Sequence, residues 1–202
     1  MIAAVAIDHL LNKATIENIG IAYVFCVYKS QLEQTLAALL SGLIKQLSQS
    51  LPTTPSAVEQ LYKKHQTHGT RPYLEDLTKL LQEVCSLHST TYIVVDALDE
   101  CTDHEGARDK LINELLALKA TTNLHLMLTS RPLPDIVEAF QGEPVFKVRA
   151  SEDDVRQYVA SQLPRLAKCV QRDEELKNKI KDEIAESVDG MYVPNLCQHM
   201  MR

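Results

Sequence analysis

A chain of 202 residues with 45% apolar side chains has enough non-polar surface to bury one core, which excludes an intrinsically disordered protein. Its 27 acidic side chains outnumber 21 basic ones, and the net charge of -6 disfavours nucleic acid and anionic membrane as partners, with a local basic patch left open. No apolar run approaches the ~18 residues of a membrane span, and the apolar start, residues 1–7, lacks the basic flank and cleavage site of a signal peptide.

In chain order, helical periodicity alternates with short apolar runs, as in a parallel sheet covered by helices. Residues 2–12 read as a helix. Residues 19–28 (IGIAYVFCVY) are β-branched and aromatic and read as a buried strand. Leu32, Leu36, Leu39, Leu40, Leu43, Ile44 and Leu47 then fall on one helical face, which Leu51-Pro52 ends. A further helix is expected from Pro55 to about His65, with a turn from Gly69 to Pro72. Another carries Leu74, Leu77, Leu80, Leu81, Val84 and Leu87.

Residues 91–95 (TYIVV) have no polar face, which marks an interior parallel strand. A helix with Leu111, Ile112, Leu115, Leu116 and Leu118 follows. Residues 123–128 (NLHLML) form the next strand, and residues 145–148 are a candidate fourth. Ser151 reads as an N-cap with acids in the first turn, opening a helix with Val155, Tyr158, Val159 and Leu163. Leu176, Ile180, Ile184 and Val188 mark a last helix, stopped by Asp189-Gly190. The tail from Met191 has no pattern.

Ligands of an open parallel sheet sit beyond the carboxyl ends of its strands, where two groups of polar residues fall. Asp96, directly after a buried strand, suits the water shell of a hard cation, and Asp99 with Glu100 could orient or deprotonate a water. The same three acids also suit a solvated turn. About 30 residues further on, Leu128-Thr129-Ser130-Arg131 offers hydroxyls and a guanidinium to a terminal phosphate, or an ordinary ion pair to a nearby acid.

Five scattered cysteines with no C-x-x-C spacing point to free thiols in a reducing, cytoplasmic setting. His65/His68 and Cys101/His104 are spaced like zinc ligand pairs, but neither has a second pair to complete four. A phosphoacceptor domain using Asp96 would need acids after the first strand, where Tyr28-Lys29-Ser30 stands.

The order of the two strand ends is that of P-loop NTPases. The runs VDALDEC (95–101), LTSRP (128–132), VRASEDDVRQY (148–158) and VDGM (188–191), with DHLL (8–11) and TRP (70–72), resemble the NACHT domain of fungal signal-transduction ATPases. These are nephrocystin-like proteins often carrying ankyrin repeats, and the resemblance runs from about Ile2 to Tyr192. It implies a three-layer α/β fold with Asp96 on the metal side, Asp99 and Glu100 as hydrolytic acids and Arg131 contacting the nucleotide. Mg²⁺ with ATP or GTP are the implied cofactors. Self-association, or other domains of a larger signalling protein, are the implied partners.

The family's phosphate-binding loop has no counterpart, since no G-x-x-x-x-G-K-[ST] occurs and no lysine follows any of the six glycines. The resemblance therefore implies a chain lacking the first strand and loop, with little prospect of hydrolysis alone. The expected organisation is a partial nucleotide-binding core over residues 1–150, a helical extension over 151–192 and a divergent tail over 193–202. A non-catalytic interaction module, or an inert fragment, is the alternative.

Overall fold

The computed structural model describes residues 2–14, 18–101, 106–148, 151–166 and 168–188. The Asp189-Gly190 stop, the tail from Met191, and His104 lie outside these residues. The chain divides into two compact units, one running through Val145 and one from Phe146.

In the first unit, helices α1 (Ile2–Ala14), α2 (Leu36–Gln49), α3 (Ser56–His68), α4 (Leu74–Ser86), α5 (Ala107–Thr121) and α6 (Pro134–Ala139) accompany strands β1 (Ile19–Phe25), β2 (Thr90–Asp96) and β3 (Leu124–Leu128). The strands form one parallel sheet in the order β1-β2-β3, with Val24 opposite Val95 and Val95 opposite Leu128.

Alternate residues point to opposite faces of a strand, and this period of two divides the core. Ala22, Val24, Ile93, Val95, Leu126 and Leu128 face a large cluster built by α2, α4 and α5. Ile21, Val94 and Met127 face Ala3, Ile7 and Leu10 of α1. Helices thus cover both faces of the sheet, as expected from strands without a polar side.

Three departures from the sequence pattern have a clear local reason. β1 ends at Phe25, because beyond it the Val27 N–H goes to Gln34 Oε1 and the Tyr28 N–H to Glu100 Oε2 instead of a neighbouring strand. α2 starts at Leu36 behind the Thr35 cap, whose Oγ1 accepts from the Ala38 N–H, so Leu32 lies in a turn at 93% exposure. Residues 145–148 form no strand: among the described residues no ladder partner lies beside them, and Val145 and Phe146 are half-exposed or more. Gly69 ends α3 in the left-handed conformation that glycine adopts without strain.

The second unit holds α7 (Glu152–Gln162), α8 (Lys168–Gln171) and α9 (Glu174–Val188). Ser151 caps α7 in a reciprocal box with Asp154. Val155, Val159 and Leu163 pack with Ile180, and Arg156 pairs with Asp182.

Candidate functional site

Because β2 and β3 pair in parallel, Asp96 and Arg131 leave the sheet at the same edge. The turn after β2 is set by Ala97, which has φ 55°, a left-handed conformation that non-glycine residues seldom adopt. It redirects the chain so that the Leu98 N–H reaches the Thr129 carbonyl at 2.8 Å. Thr129 holds the turn from the other strand: its Oγ1 donates to Asp96 Oδ1 at 2.6 Å and accepts from the Ala97 N–H at 2.8 Å. A left-handed alanine whose turn, residues 96–98, makes three bonds to Thr129 is backbone strain sustained by its surroundings, which is common at functional edges.

Residues 98–100 form a single 3-10 turn that separates the three acids. Asp99 turns towards β3, where Oδ1 accepts from the Arg131 backbone N–H at 3.1 Å and Oδ2 from Arg131 Nε at 2.6 Å. Its side chain is 6% exposed, whereas that of Arg131 is 67% exposed. The Asp99 hydrogen bond, and then its charge, raise the pKa of the guanidinium above its ordinary value. Glu100 turns the other way: Oε2 accepts from the Tyr28 N–H at 3.1 Å and its carbonyl from Gln31 Nε2 at 3.0 Å.

The acids and the arginine therefore share a rim, but only Asp99 and Arg131 touch. A divalent ion of the kind the resemblance implies needs several convergent oxygens. Here both Asp99 oxygens are engaged by Arg131 and one Glu100 oxygen by Tyr28, and one Asp96 oxygen by Thr129. Among the described residues no group of three or more histidines, cysteines or carboxylates could hold a metal. A directly ligated ion therefore has no set of convergent oxygens here, while Asp96 keeps one oxygen that Thr129 does not engage.

Sequence reasoning noted Thr129 only as one of two hydroxyls near Arg131; its place between Asp96 and Ala97 follows from strand register, which no local pattern encodes. It also could not tell that Cys26 and Cys101, 75 positions apart, are both buried in the same core cluster. The histidine pair His65/His68 stays apart from this edge on α3, where His65 Nδ1 meets Thr70 Oγ1 at 2.8 Å.

Comparison with curated proteins returned no match. A family model described as "Nephrocystin 3, N-terminal" matches residues 1–131, which include every strand of the sheet, the acid turn and Arg131. With nearly two thirds of its length so matched, the chain belongs to the nephrocystin-3 N-terminal family.

Proposed function

We propose that the chain supplies the acid-and-arginine wall of a NACHT-type nucleotide switch and does not turn nucleotide over by itself. The Asp99–Arg131 junction carries this reading. It engages the Arg131 backbone N–H and Nε and leaves the outer nitrogens of an exposed guanidinium for another partner. A planar guanidinium already held on one side suits the oxygens of a terminal phosphate. In this reading Mg²⁺ arrives bound to ATP or GTP, and Asp96 is the acid facing its water.

Turnover needs a free base near the attacking water. Both Asp99 oxygens are committed to Arg131 and Glu100 Oε2 to Tyr28, which works against either serving as that base. The backbone cradle and lysine that grip the inner phosphates are not among these 202 residues. In the larger signalling protein this reading envisages, other domains or a second copy complete the grip.

The same committed acids favour a second reading, a non-catalytic interaction module. Titration with fluorescent ATP and GTP in the presence of Mg²⁺ separates the two. The switch reading expects saturable binding below about a millimolar, weakened roughly tenfold in Arg131→Ala. Absence of saturation at millimolar nucleotide would leave the interaction module. Phosphate release abolished by Asp99→Asn would contradict the claim of no turnover.

A further inference from the structure

Away from the sheet edge, a hydroxyl, an imidazole and a carboxylate line up where the chain passes from α3 to α4. Gly69 ends α3 in the left-handed conformation, and the Thr70 N–H returns to the His65 carbonyl at 3.0 Å. That turn brings the Thr70 side chain back to the helix end, where its Oγ1 lies 2.8 Å from His65 Nδ1. His65 is 7% exposed, and Tyr73 stands edge-on to its ring at a centroid distance of 6.5 Å. The other ring nitrogen, Nε2, lies 3.8 Å from Asp76 Oδ2 on α4. Thr70 itself is exposed.

Nε2 and Oδ2 are both buried without a hydrogen-bond partner, and each is the other's neighbour. An ionised carboxylate only accepts, so the neutral ring is favoured with its proton on Nε2, towards Asp76. Lys64 Nζ, 3.7 Å from the same oxygen, belongs to a side chain that is 58% exposed, so water screens its charge. With the proton on Nε2, Nδ1 keeps its lone pair and accepts from the Thr70 hydroxyl. At 3.8 Å, Asp76 orients the ring by charge rather than through a hydrogen bond. A hydroxyl held on a base, with a carboxylate behind the base, is the arrangement that activates an oxygen nucleophile. Here the base is withdrawn from water while the oxygen is not.

We propose that Thr70 is an acyl-acceptor site, at which the hydroxyl activated by His65 takes the acyl group of a small activated ester. Thr70 Oγ1 attacks the carbonyl carbon as its proton passes to His65 Nδ1, which gives a tetrahedral oxyanion. The bond from that carbon to the leaving oxygen then breaks, and His65 returns the proton to the departing oxygen. Ester and hydroxyl become acyl-Thr70 and a free alcohol or phenol, with no change of oxidation state. Thr70 opens the TRP run (70–72), to which the nucleotide reading gives no role, and the proposal does not depend on that reading.

The test incubates the folded chain with p-nitrophenyl acetate. Acetylated peptides are mapped by mass before and after hydroxylamine, which cleaves esters and spares the amides formed on lysines. The expected product is a hydroxylamine-sensitive acetyl group on Thr70. It should form at least about tenfold faster than on the exposed Thr53 and Thr54, which have no histidine bonded to them among the described residues. This preference should vanish in urea. Thr70→Ser should keep the acetyl group and Thr70→Ala should lose it. His65→Gln, which can still bond Thr70 but is no base, should slow the reaction to the rate of Thr53, and Asp76→Asn should slow it severalfold. The proposal is overturned if Thr70 gains no hydroxylamine-sensitive acetyl group, or gains it no faster than Thr53 and Thr54. It is overturned equally if the preference survives in urea, or if His65→Gln with an unaltered circular dichroism spectrum reacts at the wild-type rate. A contact that only closes the helix end would give no such preference, and the comparison of folded with unfolded wild type requires no variant to fold.

Discussion

Gly20 and His88 show how closely individual residues are fitted at the end of the sheet remote from the acid turn. A Cβ on Gly20 would lie 2.6 Å from His88 Cδ2 and 2.8 Å from Cγ, and the ring is buried, so it has little room to yield. Gly20→Ala should therefore cost about 1–3 kcal/mol, read as a lower urea midpoint with an unchanged slope. His88 bonds the Leu47 carbonyl through Nε2 at 3.2 Å, while its Nδ1 is buried without a partner. Burial lowers its pKa, with the Leu47 bond opposing. The unfolded chain thus takes up the proton more readily than the folded one. The stability contributed by the neutral ring is complete above the unfolded value of about 6.5 and is lost as pH falls below it. The urea midpoint should drop between pH 7.5 and 5.5, and the drop should shrink in His88→Gln; an equal drop in both would refute the assignment. Neither role is legible locally. His88 reads as any polar residue before a strand, and the demand for glycine at position 20 comes from a ring 68 positions away.

At the scale of elements, the outer edge of β1 shows how an exposed strand is finished. An edge strand leaves backbone groups open to another chain. Here Gln46 of α2 bonds Tyr23 on both sides, its Oε1 accepting from the N–H at 3.0 Å and its Nε2 donating to the carbonyl at 2.9 Å. Gln34 does the same one step along, between the Val27 N–H and the Phe25 carbonyl. Two amide side chains thus stand in for part of a neighbouring strand. The apolar face of α2 was legible from leucine spacing, but the clamp was not, because Gln46 at its position looks like solvent-facing helix surface. Gln46→Ala leaves a backbone donor and acceptor of a half-buried residue unpaired. It should cost about 1–3 kcal/mol and accelerate hydrogen exchange at the Tyr23 amide. Unchanged exchange there would show that the clamp is dispensable.

For the molecule as a whole, the alternation of leucine-spaced helices with TYIVV and NLHLML was sufficient to read a parallel sheet covered on both faces, because buried strands and amphipathic helices have different periods. Residues 145–148, a candidate strand by apolar content, form none for a related reason: apolar content marks a strand only when a neighbour completes its ladder. The candidate site was legible as two strand ends in the right order. What local pattern could not convey is that Asp99 and Glu100 diverge within one 3-10 turn, each captured by a different loop. If this rim meets a nucleotide phosphate through Arg131, the amides around the acid turn must respond to nucleotide. The most direct test follows backbone amide resonances of the labelled chain as Mg²⁺-ATP or Mg²⁺-GTP is added. Saturable shifts are expected at Ala97, Asp99 and Arg131, needing about tenfold more nucleotide in Arg131→Ala, and small on α3. Shifts confined to α3 or α1, or none at millimolar nucleotide, would contradict it.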